Sequence, residues 1–299
     1  MNKVFVSPPF EDWIVDRFIN EWYEDNIDIS TKNIYESNVI WLFAGWCYQH
    51  IDRTILQTKK VITTIHHVVE EKFDHQQHLE FKDRDSITDV YHVPNNHTKN
   101  FIKKLTNKPV IVISYWANQK IWLPTENKEI LRKKYRLPVD SYLVGSFQRD
   151  TEGHDLKSPK LEKGPDILAD FLEKEKNKNP TLHVVLAGWR RQYIIGRLKQ
   201  SNISYDYFER PPQQIINELY QTLDLYPITS RCEGGPQSLI ECGLINIPVV
   251  SRNIGIAQQV LPQESINDDI TLAIPNIPNV KDLMLPNGYQ KYRELILSL

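Results

Sequence analysis

The stretch "TSRCEGGPQSLIECGLINIPVV" (229–250) decides the fold class of this chain. Glu233 stands ahead of two glycines and a proline, and Glu241 follows eight positions later in an apolar run. The segment "PQSLIECGL" (236–244) predicts a helix, and the β-branched runs on either side of it predict strands. Strand, helix and strand in this order are typical of a parallel sheet covered by helices.

The same alternation runs along the rest of the chain, and it restarts near 117–125. The sequence therefore predicts an α/β protein with two domains, at 1–118 and 119–299, and a last helix at 287–299. A polar segment rich in histidine and glutamate, roughly 68–84, is expected to be a loop.

Composition excludes several functional classes. The chain has 299 residues, 40% of them hydrophobic and 25% charged, and a formal net charge of -2. Such a balance provides no basic field for nucleic acid. No apolar run approaches the ~18 residues of a membrane span, and three cysteines without a C-x-x-C pair are typical of a reducing compartment. These features favour a cytoplasmic protein.

Glu233 and Glu241 are placed where a sugar nucleotide could bind. Ligands of such sheets lie beyond the carboxyl ends of the strands, and the free N–H groups of a helix start attract anions such as a diphosphate. Carboxylates on either side of that position accept hydrogen bonds from polyol hydroxyls. Taken alone, the pair also fits a solvated loop acid and a helix-surface acid.

The segment "EGGPQSLIECGLINIPVVSRNIG" (233–255) resembles the E-x7-E region of family 4 retaining glycosyltransferases. "YLVGSFQRD" (142–150) and "EKGPDIL" (162–168) are similar to the phosphate-binding segment of that family. The resemblance implies two Rossmann-like α/β/α domains of the GT-B type with an interdomain cleft. It also implies an acceptor-side domain at 1–118 and a nucleotide-sugar-binding domain at 119–299, with the 287–299 helix packing back on the first domain.

The implied activity is transfer of a hexosyl group from a nucleotide sugar to an acceptor hydroxyl, with retention and without a metal or other cofactor. The implied partners are the nucleotide-sugar donor and a saccharide or lipid-linked acceptor, as in glycan or lipopolysaccharide biosynthesis. The basic helix within 96–108 is a candidate for contact with the inner face of a membrane.

The resemblance also assigns roles to individual residues. The catalytic assignments are Glu233, His66 and Lys163. The donor-binding assignments are Gly145, Arg149, Lys163, Gly188, Arg210, Gly234, Gly235, Pro236, Gln237, Ser238 and Glu241. In these assignments Glu233 holds donor-sugar hydroxyls, Glu241 holds ribose hydroxyls and His66 lies over the donor sugar.

One position departs from the family pattern. The arginine that follows V-G in the family is Ser146 here, and a long connection (146–162) leads to Lys163. A leaving diphosphate then needs another cation, and Arg149 is the leading candidate, with Arg231 in reserve.

Three other functions stay open on the sequence. A nucleotide-sugar epimerase would use the same donor pocket, and a non-catalytic GT-B protein would only bind a nucleotide sugar or a partner. A metal-dependent hydrolase would use the histidines and carboxylates of 66–78, because such ligands suit zinc.

Overall fold

The computed structural model describes residues 2–9 and 14–299. The chain divides into two compact units, one made of Met1–Trp116 with Leu285–Leu299, the other of Ala117–Met284. The sequence predicts a helix over 10–26. The described part of this helix begins at Ile14, and 10–13 lie outside the described residues.

Most strands are short, and each is followed by a helix or a turn. They are β1 (Val4–Val6), β2 (Val39–Leu42), β3 (Lys60–Thr64), β4 (Val90–Val93), β5 (Val110–Val112), β6 (Tyr142–Ser146), β7 (Thr151–Glu152), β8 (Ser158–Pro159), β9 (Leu182–Gly188), β10 (Ser204–Glu209), β11 (Tyr226–Ile228) and β12 (Val249–Ser251).

α-Helices occur in both units, most of them between successive strands. They are α1 (Ile14–Asp25), α2 (Arg53–Thr58), α3 (His75–Asp85), α4 (Asn96–Ile102), α5 (Lys128–Lys134), α6 (Pro165–Lys178), α7 (Gln192–Gln200), α8 (Gln213–Gln221), α9 (Gln237–Leu244), α10 (Ala257–Val260) and α11 (Gln290–Leu297).

The first unit contains a parallel sheet in the order β1-β2-β3-β4-β5. Val4 also forms a parallel bridge with Ser30, at the edge of β1 that faces away from β2. The chain therefore runs along this edge of β1 before it enters β2. Side chains of successive strand residues point to opposite faces. Ile40 and Leu42 therefore pack with Leu56 of α2 on one face, and Trp41 lies on the other.

An aromatic layer covers the Trp41 face of this sheet. The ring centre of Trp22, on α1, lies 5.2 Å from that of Trp41 and 5.4 Å from that of Tyr289. Tyr292, on α11, lies 5.2 Å from Trp41. All of these rings are buried, so the sequence-distant segment at 289–297 is a structural part of the first unit.

The second unit contains β10-β9-β6 and β11-β12, joined by a bridge between Val144 and Leu225. All the pairings are parallel. The strand order therefore reverses between β6 and β11, which is the point where sheets of this class bind ligands at the carboxyl ends. The residues directly after these strands are called the carboxyl rim below.

Two expectations about local structure are wrong, and one pair of strands was not expected. The segment expected to be a loop at 68–84 contains α3, which starts at an Asp74 cap that accepts the N–H of Gln77 and which buries Phe81. Pro236, expected inside the helix, is instead the residue before α9, with ψ of 113°. The antiparallel pair β7–β8 was not predicted.

In the part of the chain that the structure describes, no helix is long and apolar enough to cross a membrane. Within the same residues no three histidine, cysteine or carboxylate side chains converge as metal ligands would.

Candidate functional site

The sequence Lys163–Gly164 places the start of α6 against the carboxyl rim. Gly164 has a left-handed backbone with φ of +60°, which favours glycine. A Cβ at this position would lie 2.0 Å from the carbonyl oxygen of Thr229, just after β11. Glycine therefore allows the backbones to approach, and this approach brings Lys163 to the switch point between β6 and β11.

Lys163 is part of a closed ring of polar side chains. Its Nζ lies 2.6 Å from Oε1 of Glu233. The hydroxyl of Ser230 lies 3.0 Å from the same carboxylate oxygen and 3.2 Å from Oε1 of Gln148. Gln148 completes the ring, because its Nε2 donates to the backbone oxygen of Lys163 over 2.8 Å. Lys163, Gln148, Ser230 and Glu233 are called the polar ring.

The Lys163–Glu233 ion pair remains accessible. The side chain of Lys163 is 24% exposed and that of Glu233 is 15% exposed. A partly exposed pair is stabilised only modestly by its own attraction. An anion that arrives at the rim can therefore take Lys163 from Glu233, which leaves the carboxylate ready to accept hydrogen bonds from hydroxyl groups.

Glu241 lies on the buried side of α9, below the helix start. It is 8% exposed, and its Oε2 accepts a hydrogen bond of 2.8 Å from the hydroxyl of Tyr220. Burial, followed by the charge of Glu241, raises the pKa of Tyr220 far above its usual value. Tyr220 therefore keeps its proton and holds the Glu241 carboxylate in a fixed orientation.

The other predicted residues at the start of α9 have unequal exposure. Gly234 and Pro236 are buried, while Gly235, Gln237 and Ser238 are half-buried. Gly145 lies within β6, where a Cβ would be 2.2 Å from Cδ1 of Leu223. Gly145 therefore has a packing role beneath the rim.

Ser146 stands where the resembled family has an arginine, and in this structure it is contacted by Arg191. Arg191 donates to the hydroxyl of Ser146 over 2.9 Å and to the backbone oxygen of the same residue. It also donates from Nε to Oδ2 of Asp150 over 2.5 Å and from Nη1 to Ala187 O over 2.8 Å. The side chains of Arg191 and Asp150 are 0% and 1% exposed, so this pair braces the ends of β6 and β9 without contacting solvent.

The two candidate replacement cations lie in different surroundings. Arg149 donates from Nε to the backbone oxygen of Thr151 over 3.1 Å, and its guanidinium lies 5.2 Å from the ring centre of Trp189. Arg231 forms a bidentate pair with Asp166, at 2.8 and 2.5 Å. Neither guanidinium is part of the polar ring, and the role of Arg149 toward a diphosphate stays a prediction.

Gly188 and Arg210 meet at the ends of β9 and β10. The backbone N–H of Arg210 donates to the Gly188 oxygen over 3.2 Å, and the Arg210 guanidinium lies 4.4 Å from the Trp189 ring centre. The structure thus brings these two predicted residues together beside an aromatic residue that the sequence did not single out.

His66 lies in the first unit, and both of its ring nitrogens are bonded there. Nε2 lies 2.9 Å from the backbone oxygen of Phe43, and Nδ1 contacts the hydroxyl of Tyr115. Burial lowers the pKa of His66 to about 3, so the ring is neutral near pH 7. A neutral ring donates from Nε2 to the carbonyl and accepts at Nδ1 from the tyrosine. Its proposed role toward a donor sugar stays a prediction.

Sequence reasoning missed Gln148, Ser230 and Tyr220 as parts of the site. Gln148 directly follows one predicted strand (141–147), and Ser230 is the last residue of another (224–230). The rule that ligands bind at strand ends could have selected both. Tyr220 gave no such signal, because its contact with Glu241 depends on how α8 and α9 pack.

No protein-family model matches the sequence, and no curated protein matches it. Solved structures do match the fold. HepE from Anabaena in complex with UDP and glucose has a TM-score of 0.76 at 12% identity, with 100% of each chain covered. Sucrose-phosphate synthase from Thermosynechococcus elongatus has a TM-score of 0.64 at 15% identity, with 94% of this chain and 77% of that chain covered.

A glycosyltransferase from Rickettsia africae has a TM-score of 0.61 at 15% identity, with 98% of this chain and 83% of that chain covered. These neighbours are GT-B proteins with two Rossmann-like domains. The chain has the GT-B fold. The expected α/β architecture is thereby confirmed, and the function is argued from the site.

Proposed function

We propose that the chain transfers a hexosyl group from a nucleotide-sugar donor to an acceptor hydroxyl, with retention and without a divalent metal. The observation that carries this proposal is the polar ring at the switch point of the second sheet. It pairs one cation, suited to a diphosphate, with one carboxylate, suited to sugar hydroxyls.

The structural neighbours support the donor class. HepE structures contain UDP, UDP with glucose, and UDP-glucose. In this chain, the charge of Lys163 and the backbone N–H groups at the start of α9 would stabilise the anionic nucleoside diphosphate at the rim. Glu241, held by Tyr220, would accept hydrogen bonds from ribose hydroxyls.

Catalysis would then depend on exchange within the polar ring. As the diphosphate arrives, Lys163 leaves Glu233 and neutralises the charge that develops on the leaving group. Glu233 holds the hydroxyls of the sugar. The bond between the anomeric carbon and the diphosphate would break with its electron pair on the diphosphate. The acceptor hydroxyl would form the new bond to the anomeric carbon and pass its proton to the leaving diphosphate oxygen.

A nucleoside diphosphate should stabilise the protein against heating. UDP, GDP and ADP would each be added at millimolar concentration, with and without EDTA, and the melting temperature recorded. Binding to the folded state alone stabilises by about 2.7 kcal/mol at a hundredfold excess over Kd. The shift should survive EDTA. The absence of a shift with all three nucleotides would contradict the proposed donor site.

The two acids should differ in their effects. Glu241→Gln should weaken UDP binding by roughly 10- to 100-fold, because the ribose would lose a charged acceptor worth about 1.5–3 kcal/mol. Glu233→Gln should leave UDP affinity unchanged or raise it, because Lys163 is released from its ion pair, yet it should lower turnover of the nucleotide sugar. Isothermal titration and a donor-consumption assay measure the two quantities.

Glu175→Gln is the matched control for these variants. Its carboxylate is also largely buried, and it pairs with Lys178 over 2.9 Å in the last turn of α6, away from the polar ring, so neither quantity should change much. Equal losses of UDP affinity in Glu233→Gln and Glu241→Gln would contradict the separate roles.

A further inference from the structure

Three guanidinium groups surround one indole at the ends of β9 and β10. The Cζ atoms of Arg149, Arg190 and Arg210 lie 5.2, 4.6 and 4.4 Å from the ring centre of Trp189. Trp189 is 39% exposed, so the group faces solvent. These four residues are called the arginine cluster.

The charge of the arginine cluster is not compensated within the described residues. Over 2–9 and 14–299, none of its three arginines pairs with a carboxylate, whereas Arg231, on the same rim, is paired with Asp166. The side-chain bonds of Arg149 and Arg190 go to the backbone oxygens of Thr151 and Gly153. Because all three charges approach one ring, they lie within about 10 Å of each other, where salt screens them incompletely.

One donor of the cluster is buried and has no partner among the described residues. It is Nε of Arg190. A buried donor without an acceptor destabilises the protein, and a charged donor does so more strongly. The protein therefore leaves part of the hydrogen-bonding capacity of this guanidinium group unused.

Two arginines of the cluster have a left-handed backbone conformation, which residues other than glycine rarely adopt. Arg190 and Arg210 have φ of +54° and +46°, and such left-handed residues cost about 1–3 kcal/mol each. Arg190 is fixed because its backbone oxygen accepts the N–H groups of Asp150 and Thr151, over 3.2 and 3.1 Å. The arginines are therefore presented by a braced loop, which suggests a ligand site.

We infer that the arginine cluster binds a phosphate group other than the diphosphate at the polar ring. Guanidinium groups present paired N–H donors that match phosphate oxygens, and the indole orients them through cation–π contact. The resemblance assigns Gly188 and Arg210 to donor binding, but three uncompensated charges favour an anion over the neutral base of a nucleotide. The cluster is built mainly on the ends of β9 and β10, with Arg149 reaching it from beyond β6, whereas the cation and the carboxylate of the polar ring lie beside β11.

Pyrophosphate is the probe for this site. It would be titrated calorimetrically into the full chain, with and without saturating UDP. The wild-type protein should bind pyrophosphate in both conditions. Arg190→Gln and the exposed Arg210→Gln should each weaken this binding at least tenfold, because a charge-assisted bond is lost. The melting temperature of each variant, compared with wild type, verifies that it folds.

Arg136→Gln is the matched control. Arg136 is also exposed, has a left-handed backbone with φ of +57°, and has no carboxylate partner among the described residues. Pyrophosphate affinity should be unchanged in this variant. An equal loss in Arg136→Gln would overturn the assignment, and so would unchanged affinity in both folded cluster variants.

Competition separates this site from the proposed donor site. Complete loss of pyrophosphate binding under saturating UDP would overturn the inference, because the cluster would then belong to the nucleotide, whereas displacement of only part of the pyrophosphate would reflect the polar ring. If no nucleotide binds at all, the proposed function fails, while arginine-dependent pyrophosphate binding would still support the cluster. Inorganic phosphate and glucose 6-phosphate distinguish the source: tighter binding of the sugar phosphate indicates a phosphorylated saccharide, and equal binding a free anion.

Discussion

Replacing Lys163 by methionine should lower turnover of the nucleotide sugar by about 100- to 1000-fold, as loss of one preorganised charge-stabilising group does in other enzymes. Methionine keeps the length of the side chain but not the cation, so the charge on the leaving diphosphate is no longer neutralised. UDP affinity should fall in parallel. A donor-consumption assay and calorimetric titration with UDP measure the two effects.

Lys160→Met is the control for this experiment. The side chain of Lys160 is 25% exposed, close to the 24% of Lys163, and it pairs with Glu162 instead of Glu233. Its replacement should change turnover little. Wild-type turnover in Lys163→Met would contradict the role of Lys163, and a comparable loss in Lys160→Met would indicate a general effect of positive charge.

The largest loss of stability is expected for Arg191→Met. Removing one partner of a fully buried ion pair costs about 3–5 kcal/mol, because the remaining charge is left without compensation. Among the described residues, the Asp150 carboxylate would retain only the hydroxyl of Thr151, 2.7 Å away. The melting temperature should fall by roughly 10 °C, and the midpoint of urea unfolding should fall as well.

Two further variants make this prediction specific. Arg197 forms exposed ion pairs with Asp170 and Glu173, so Arg197→Met should cost at most about 1 kcal/mol. Arg191→Met combined with Asp150→Leu should recover much of the loss, because no buried charge is then left unpaired. Similar losses of stability in Arg191→Met and Arg197→Met would show that the buried ion pair contributes no more to stability than the exposed one.

The sequence predicted the second sheet well for a physical reason. Runs such as 182–188 are apolar and β-branched because both faces of a parallel strand are covered, and the helices between them have a clear apolar side. The 68–84 segment lacks such a pattern, since α3 buries only Phe81. Its helix start was nevertheless encoded by Asp74, whose side chain caps the first turn.

Only part of the candidate site could be predicted from the sequence. Lys163 and Glu233 could each be placed at a strand end, but their ion pair joins residues 70 positions apart. The contact between Arg191 and Ser146 spans 45 positions. Such contacts depend on how strands align and helices pack, and local patterns do not encode that alignment.

The aromatic layer of the first unit has a consequence for synthesis on the ribosome. Trp22 and Trp116 are made early, but Tyr289, whose ring lies 5.4 and 4.9 Å from theirs, is made only after the whole second unit. At about 5–20 residues per second, the delay is on the order of 10 s. During that time the nascent first unit exposes tryptophan surface, which chaperones bind and which promotes aggregation. The second unit, continuous in sequence, can complete its folding first.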